Sequence, residues 1–235
     1  MSAKQNLSHR LHDQLGDMIA AMAPGDRLPT EPKLAQMLRV SRATLREAMR
    51  TFETQGLIQR RQGVGTFVVH PTQVMDTGLE VLESIESMAR RVGLAVQMGK
   101  YQVETRDANQ VEKENLKTEH VHQVSRVIEA EGRPVAYLID IVPGDLLSES
   151  ELKQEFTGSV LDLFLKRGAP TVGSADTEIH AAAVESDVAR ALRIQRGDVV
   201  LHFRSSLFSL DGAVIGLTRS YFLPGYFRFH VIRRV

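Results

Sequence analysis

Four structural signals follow one another between residues 28 and 69, and their order constrains the fold more than any other feature. In Leu28-Pro29-Thr30-Glu31-Pro32-Lys33-Leu34-Ala35, Thr30 reads as a helix N-cap, and Leu34, Met37 and Leu38 then fall at helical spacing. Val40-Ser41 interrupts that helix, and Ser41 can cap the next. There Leu45, Ala48, Met49 and Phe52 form one apolar stripe, and Gly56 sits where a helix-ending glycine belongs. A β-run from Leu57 to Arg61, a glycine-punctuated turn from Gln62 to Gly65 and a second run from Thr66 to Val69 complete the segment. A further helix, residues 8–22, precedes it, with Leu11, Leu15, Met18, Ile19 and Met22 on one side.

Arg42, Arg46 and Arg50 recur every four residues, on a face away from the apolar stripe. Three aligned arginines repel one another in water, and phosphates and guanine edges are their natural complement. A short helix, a second helix with this basic face and a basic two-stranded ribbon make a winged helix-turn-helix. That fold places one helix in the major groove of double-stranded DNA.

This segment resembles the GntR family of bacterial repressors, through Leu-Pro-x-Glu at 28–31, Ser-Arg-x-Thr-x-Arg-Glu-Ala at 41–48 and Gly-x-Gly-Thr-Phe-Val at 63–68. The resemblance covers residues 8–70. With the arginine pattern, it implies DNA contacts from Lys33, Ser41, Arg42, Thr44, Arg46, Arg50, Arg61, Gly63, Val64 and Gly65. Pro32 and Lys33 depart from the Arg-Glu common in that family. The capping box with Thr30 is thereby lost, and Lys33 stands in for the missing arginine.

Charge separates the chain into two halves. Residues 1–70 hold 10 Lys+Arg against 6 Asp+Glu, and the remainder holds 19 against 23. The positive excess lies with the DNA motif, and an acidic remainder avoids DNA. The chain lacks cysteine, which excludes disulfides and thiolate metal sites. No apolar window approaches a membrane span and no signal peptide is apparent, so a cytoplasmic protein is expected. His9 and His12 lie three apart on the first helix without a third ligand, so no metal site is expected.

His70-Pro71-Thr72-Gln73 reads as a boundary. The expected division is a DNA-binding domain at 1–70, a linker at 71–76 and a second domain at 77–235. Leu79, Leu82, Ile85, Met88 and Val92 predict a helix closed by Gly93, acidic early and basic late as the helix dipole favours. Strands follow from about residue 97. Hairpins are expected at Glu131-Gly132-Arg133-Pro134 and Asp211-Gly212, and a last strand at 227–233. Helices are expected at 107–114, 148–155, 159–167 and 185–192. The fold class is therefore α+β.

The second half resembles the UTRA effector-binding domain of the HutC branch of GntR regulators. The matching pieces are Arg126-Val127, Gly132-Arg133-Pro134-Val135, Gly158-Ser159-Val160, Ala191-Leu192-x-Ile194, Gly197-Asp198 and Ser220-Tyr221-Phe222. UTRA domains share their fold with chorismate lyase. The resemblance implies a six-stranded antiparallel sheet with flanking helices, and a pocket between them for a small metabolite.

Arg126 alternates with Val124 and Ile128, so it lies on the apolar side of its strand, and a buried arginine needs an anion. Asp140 could supply it instead of a ligand. A two-residue turn at Asp211-Gly212 would oppose Arg204 to Arg219 and His202 to Tyr221, a like-charge pair that invites an anion between them. Gly158-Ser159 offers a helix-start anion site, or Ser159 is simply a cap. One effector pocket is expected to contain Arg126, Asp140, Ser159, Glu178, Arg204, Arg219 and Tyr221. Amino-sugar-phosphate-responsive relatives carry Arg-x-Arg and a glutamate on the next strand. Ile128 and Leu138 occupy those positions here, which points to a smaller or less charged anion than a sugar phosphate. His120 and His122 read as strand surface. No nucleophile–base spacing, glycine-rich phosphate loop or metal constellation is present, so the expected protein is not an enzyme and needs no cofactor. The expected protein is a homodimeric, effector-responsive repressor of an inverted-repeat operator, without a membrane partner. The alternatives are an architectural DNA-binding protein without effector and a chorismate lyase-like enzyme fused to a DNA-binding domain.

Overall fold

The computed structural model describes residues 3–54, 56–61, 63–69, 75–154, 156, 158–231 and 233. The described chain forms two compact units. The first comprises residues 1–74 with 223–226, and the second residues 75–222 with 227–235.

In the first unit, α1 (Ala3–Ala20), α2 (Glu31–Met37) and α3 (Arg42–Thr54) precede the antiparallel hairpin of β1 (Ile58–Arg61) and β2 (Gly65–Val68). Leu15, Ile19, Leu34, Leu45, Met49, Phe52, Ile58 and Val68 bury together as its core. The α3 stripe at i, i+4 and i+7 therefore faces inward, as its spacing requires. Ser41 caps α3, its Oγ accepting from the Thr44 amide at 3.1 Å. Gly56, at φ +70°, ends α3, while the Leu57 amide donates to the Phe52 carbonyl at 2.9 Å.

Three details depart from expectation. Helix α1 lies at 3–20 rather than 8–22. Thr30 occupies the N-cap of α2 without a side-chain cap bond, and the nearby proline and the dipole-favoured Glu31 start that helix instead. Met37 is exposed, because a helix this short buries little beyond Leu34 and Ala35. His12 stacks on Phe52 at 4.5 Å, a packing role.

The second unit runs β3 (Met75–Gly78), α4 (Ile85–Arg91), β4 (Val96–Asp107), α5 (Gln110–Leu116), β5 (His120–Ala130), β6 (Arg133–Pro143), α6 (Glu149–Gln154), α7 (Val160–Arg167), β7 (Val172–Ala183), α8 (Ser186–Leu192), β8 (Val199–Ser209), β9 (Val214–Phe222) and β10 (Phe227–His230). Six strands make one antiparallel sheet in the order β4-β5-β6-β9-β8-β7. One face packs Val124, Val142, Leu147, Leu152, Val160 and Phe164 with α6 and α7. The other packs Leu116, Val121, Ile139 and Ile141 beside α5.

Residues 75–78 are a strand, not the end of a linker or the start of a long helix. They pair in parallel with β10, a partner about 150 residues away that a local pattern does not reveal. The expected linker residues 71–74 and the boundary residue His70 lie outside the described residues. Helix α4 begins only after Ser84, whose Oγ accepts from the Ser87 amide at 3.1 Å. Strand β10 ends at His230, short of 233. Strand β7, which no residue-level signal marked, is a mostly exposed edge strand.

Glu131 and Gly132 both adopt positive φ, +52° and +74°, between paired Ala130 and Arg133. The hairpin expected over residues 131–134 thus turns on two residues, with Arg133 and Pro134 already in the strand. At the other hairpin the Ser209 amide bonds the Ala213 carbonyl at 2.9 Å, so the loop is longer than two residues. A register shift between Leu207 and Phe208 absorbs the extra residue. Arg204 opposes Arg219 and His202 opposes Tyr221 after all.

Candidate DNA interface and effector site

The α3 start, the α2 start and the hairpin converge on a cleft of about 360 Å³. Arg27, Glu31, Arg46, Arg60, Arg61, Gly63 and Gly65 line it. Glu31 lies low in the cleft, its side chain 19% exposed against 54% for Arg46 and 42% for Arg60. Arg46 Nε donates to Glu31 Oε2 at 2.7 Å, and Arg60 Nη2 lies 3.3 Å from Glu31 Oε1. The Arg61 guanidinium lies over the Phe67 ring, 4.9 Å from its centre.

Gly63 and Gly65 take φ of +73° and +142°. A Cβ on Gly65 would meet Arg27 Nε at 2.5 Å, so glycine there serves both backbone angle and close approach. Val64 projects between them, 52% exposed.

The structure thus brings together Arg46, Arg61, Gly63 and Gly65 of the expected contacts. Lys33 and Arg42 are exposed but do not line the cleft. Ser41 and Thr44 join their hydroxyls at 2.8 Å, and Arg50 pairs with Glu47 at 2.9 Å. Sequence reading missed Arg27, Glu31 and Arg60. Arg27 and Arg60 gave no local signal but charge, and Glu31 only its place in the Leu-Pro-x-Glu motif, because the contacts joining them cross from one element to another.

In the second unit Arg126 is buried, 3% exposed. Its Nη1 donates to Asp140 Oδ2, and its Nε donates to Glu86 Oε1 at 3.3 Å. Thr218 Oγ1 donates to the other Asp140 oxygen at 2.9 Å. Among the described residues Glu86 Oε2 is buried without a hydrogen-bond partner, and burial pushes the Glu86 carboxyl above the ordinary carboxylate range despite Arg126 beside it. Ser159, 2% exposed, caps α7 by accepting from the Asp162 amide at 3.1 Å. Ser84 Oγ donates to Asp162 Oδ2 at 2.7 Å. Asp140 therefore pairs with Arg126, and Ser159 acts as a cap, the structural alternatives of the sequence reading. Glu86, on α4, was not foreseen.

The single pocket expected for the effector does not form. Cross-strand partners share a face, and Arg219 opposes Ile139, which opposes Ser125. Arg126 is the next residue, so it points to the opposite face. Arg126, Asp140 and Ser159 thus lie on the face covered by α6 and α7. Glu178, Arg204, Arg219 and Tyr221 lie on the α5 face. There Glu178, Arg204 and Arg219 line a second cleft, of about 340 Å³, with Arg106 and Glu112. Arg106 holds both Glu112 oxygens at 2.7 Å, and this hydrogen bonding lowers the Glu112 pKa. Tyr221 stacks instead on His202, ring centres 4.4 Å apart. His122 is buried rather than surface, its Nδ1 2.9 Å from Thr105 Oγ1.

Comparison with known proteins agrees with this architecture. A model of bacterial regulatory proteins of the gntR family matches residues 7–68, and a model of the UTRA domain matches residues 91–228. The chain belongs to the GntR family, in its UTRA-bearing branch. It is 28% identical over 211 residues to the HTH-type transcriptional regulator Rv0792c of Mycobacterium tuberculosis, covering 88% of this chain and 77% of that one. It is 28% identical over 192 residues to the histidine utilization repressor of Pseudomonas putida, covering 79% and 75%. The fold of PhnF from Mycobacterium smegmatis superposes with a TM-score of 0.63 at 21% identity, covering 95% and 99%.

This GntR-family regulator is thus a ligand-responsive transcriptional regulator rather than an enzyme. Its family binds DNA through the first unit's fold and small effectors through the UTRA domain. Among the described residues no helix is long and apolar enough to cross a membrane.

Proposed function

We propose that this regulator is a cytoplasmic repressor. Its homodimer binds an inverted-repeat operator through residues 1–70, and residues 77–235 hold the effector and the dimer contact. Two-fold symmetry of the protein then sets the symmetry of the operator. The observation that carries the reading is the cleft in which Arg46 of the second motif helix, Arg60 and Arg61 of the hairpin, and two glycines meet on one exposed face. Arginines presented there suit phosphate oxygens and guanine edges.

The effector site we propose is the helix-covered face at Arg126, and its ligand is a small anion, a carboxylate or a single phosphate. Arg126 is already neutralised by Asp140, so an entering anion takes the place of Glu86. Glu86 is the weaker partner, with its longer contact and an unbonded second oxygen. Its replacement frees α4, and the energy linking ligand to DNA is expected at about 1–3 kcal/mol.

The test uses the full chain. Duplexes are selected from a random-sequence library, and sedimentation measures the mass of the protein and of its complex. Fluorescence anisotropy then follows release of the selected duplex by a panel of carboxylates and phosphates. A dimer on a palindromic duplex, released by one panel member in the wild type but not in Arg126→Lys, and held more weakly by Glu86→Ala even without that panel member, is the expected outcome. A monomer on an asymmetric site refutes the dimeric reading. Release that is unaffected by both substitutions refutes the effector site.

A further inference from the structure

The Glu31 carboxylate ties three elements of the first unit to one point: the start of α2, which carries it, α3 through Arg46, and β1 through Arg60. Its 2.7 Å bond takes the Nε edge of Arg46. The Nη edge of that guanidinium is then the edge left to grip an acceptor pair such as guanine O6 and N7. A planar guanidinium held by one edge has its plane fixed before DNA arrives, and less freedom is lost on binding.

The same carboxylate also offsets positive charge where two phosphate-seeking arginines meet. Glu31, Arg46 and Arg60 together carry a net charge of +1 rather than +2. Attraction to any phosphate backbone is thereby weakened, while the oriented fork for one base pattern is kept. Both effects act in the same direction, favouring sequence choice over general affinity.

We propose that Glu31 is a positioning and specificity-determining residue for DNA, holding Arg46 in the plane that reads a guanine. This rests on the operator-binding reading above and adds a residue that itself touches no base.

The experiment compares the full-length wild type with Glu31→Gln. The probes are the duplex selected by the wild type and a scrambled duplex of equal length and composition. Glutamine keeps the shape and one acceptor but removes the charge. The specificity ratio is expected to fall about tenfold, within the range of one bidentate base contact. Binding to the scrambled duplex is expected to hold or rise, with a salt slope steeper by roughly 0.9, since one more phosphate is neutralised.

In the Arg46→Lys background, which lacks the fork, Glu31→Gln is expected to leave the ratio unchanged. An unaltered ratio in the Arg46 background overturns the proposal. So does an equal fall in both backgrounds, because Glu31 then acts other than through Arg46. A role confined to stabilising the start of α2 would lower the melting temperature and weaken both duplexes alike, which also overturns it. If Glu31→Gln does not fold, Glu31→Asp serves. It keeps the charge at the helix start but is one methylene short of Arg46, and it is expected to lose the ratio at wild-type melting temperature. An unchanged ratio in that variant counts against the proposal. Failure of the wild type to select any duplex would instead refute the operator reading itself.

Discussion

Arg46 and Arg126 are both held by glutamate, and they differ almost entirely in burial. Arg46 rests on Glu31 with more than half of its side chain in solvent. Arg126 sits between Asp140 and Glu86 with 3% exposed. At the surface, water screens the pair, and its worth to stability is about 0–1 kcal/mol. What remains is geometry: an exposed arginine whose Nε edge is fixed by one carboxylate. In the interior each charge has lost its water and depends on the others, so removing one strands the rest. The same residue types leave an exposed, oriented arginine in one unit and a buried ion cluster in the other.

The largest test of this contrast is Arg126→Ala. It leaves Asp140 buried without its cation, and a loss of about 3–5 kcal/mol is expected, read by urea denaturation of the full chain. A loss below about 1 kcal/mol would place Arg126 with the surface pairs and erase the distinction.

Next comes Arg46→Ala. Operator affinity is expected to fall by about 1–3 kcal/mol, while stability stays within about 0.5 kcal/mol, as for exposed sites. Anisotropy and urea melts on one preparation separate the two effects. A large stability loss with intact affinity would invert the assignment.

The smallest effect concerns pH. Burial raises the Glu86 pKa in the folded chain. The folded state therefore keeps that proton longer than the unfolded chain does. Its contribution to stability declines as pH rises from the ordinary carboxylate range through the raised value. Glu86→Gln removes the titration, so the urea midpoint is expected to depend less on pH from the ordinary carboxylate range upward. An unchanged pH profile would show that Glu86 is solvated in solution.

The sequence by itself determined the elements whose signals are local. The apolar stripe Leu45-Met49-Phe52, the Ser41 cap and Gly56 set α3. Glu131-Gly132 set one hairpin, and alternation placed Arg126 on an inward face. These follow from helix and strand periods and from φ preferences that a few neighbouring residues fix. The motif sequences also carried the family.

Tertiary structure alone decided what meets what. The β3–β10 pairing turned an expected linker and helix start into a strand. The register shift at Leu207 and Phe208 kept Arg204 opposite Arg219 although the loop was longer than the pattern implied. Face parity across β5, β6 and β9 separated Arg126 from Arg219 and Tyr221. Glu31 and Glu86 reached their arginines from positions 15 and 40 residues away. Such contacts depend on how whole elements pack, and no local period encodes the partner of a side chain that must cross from one element to another.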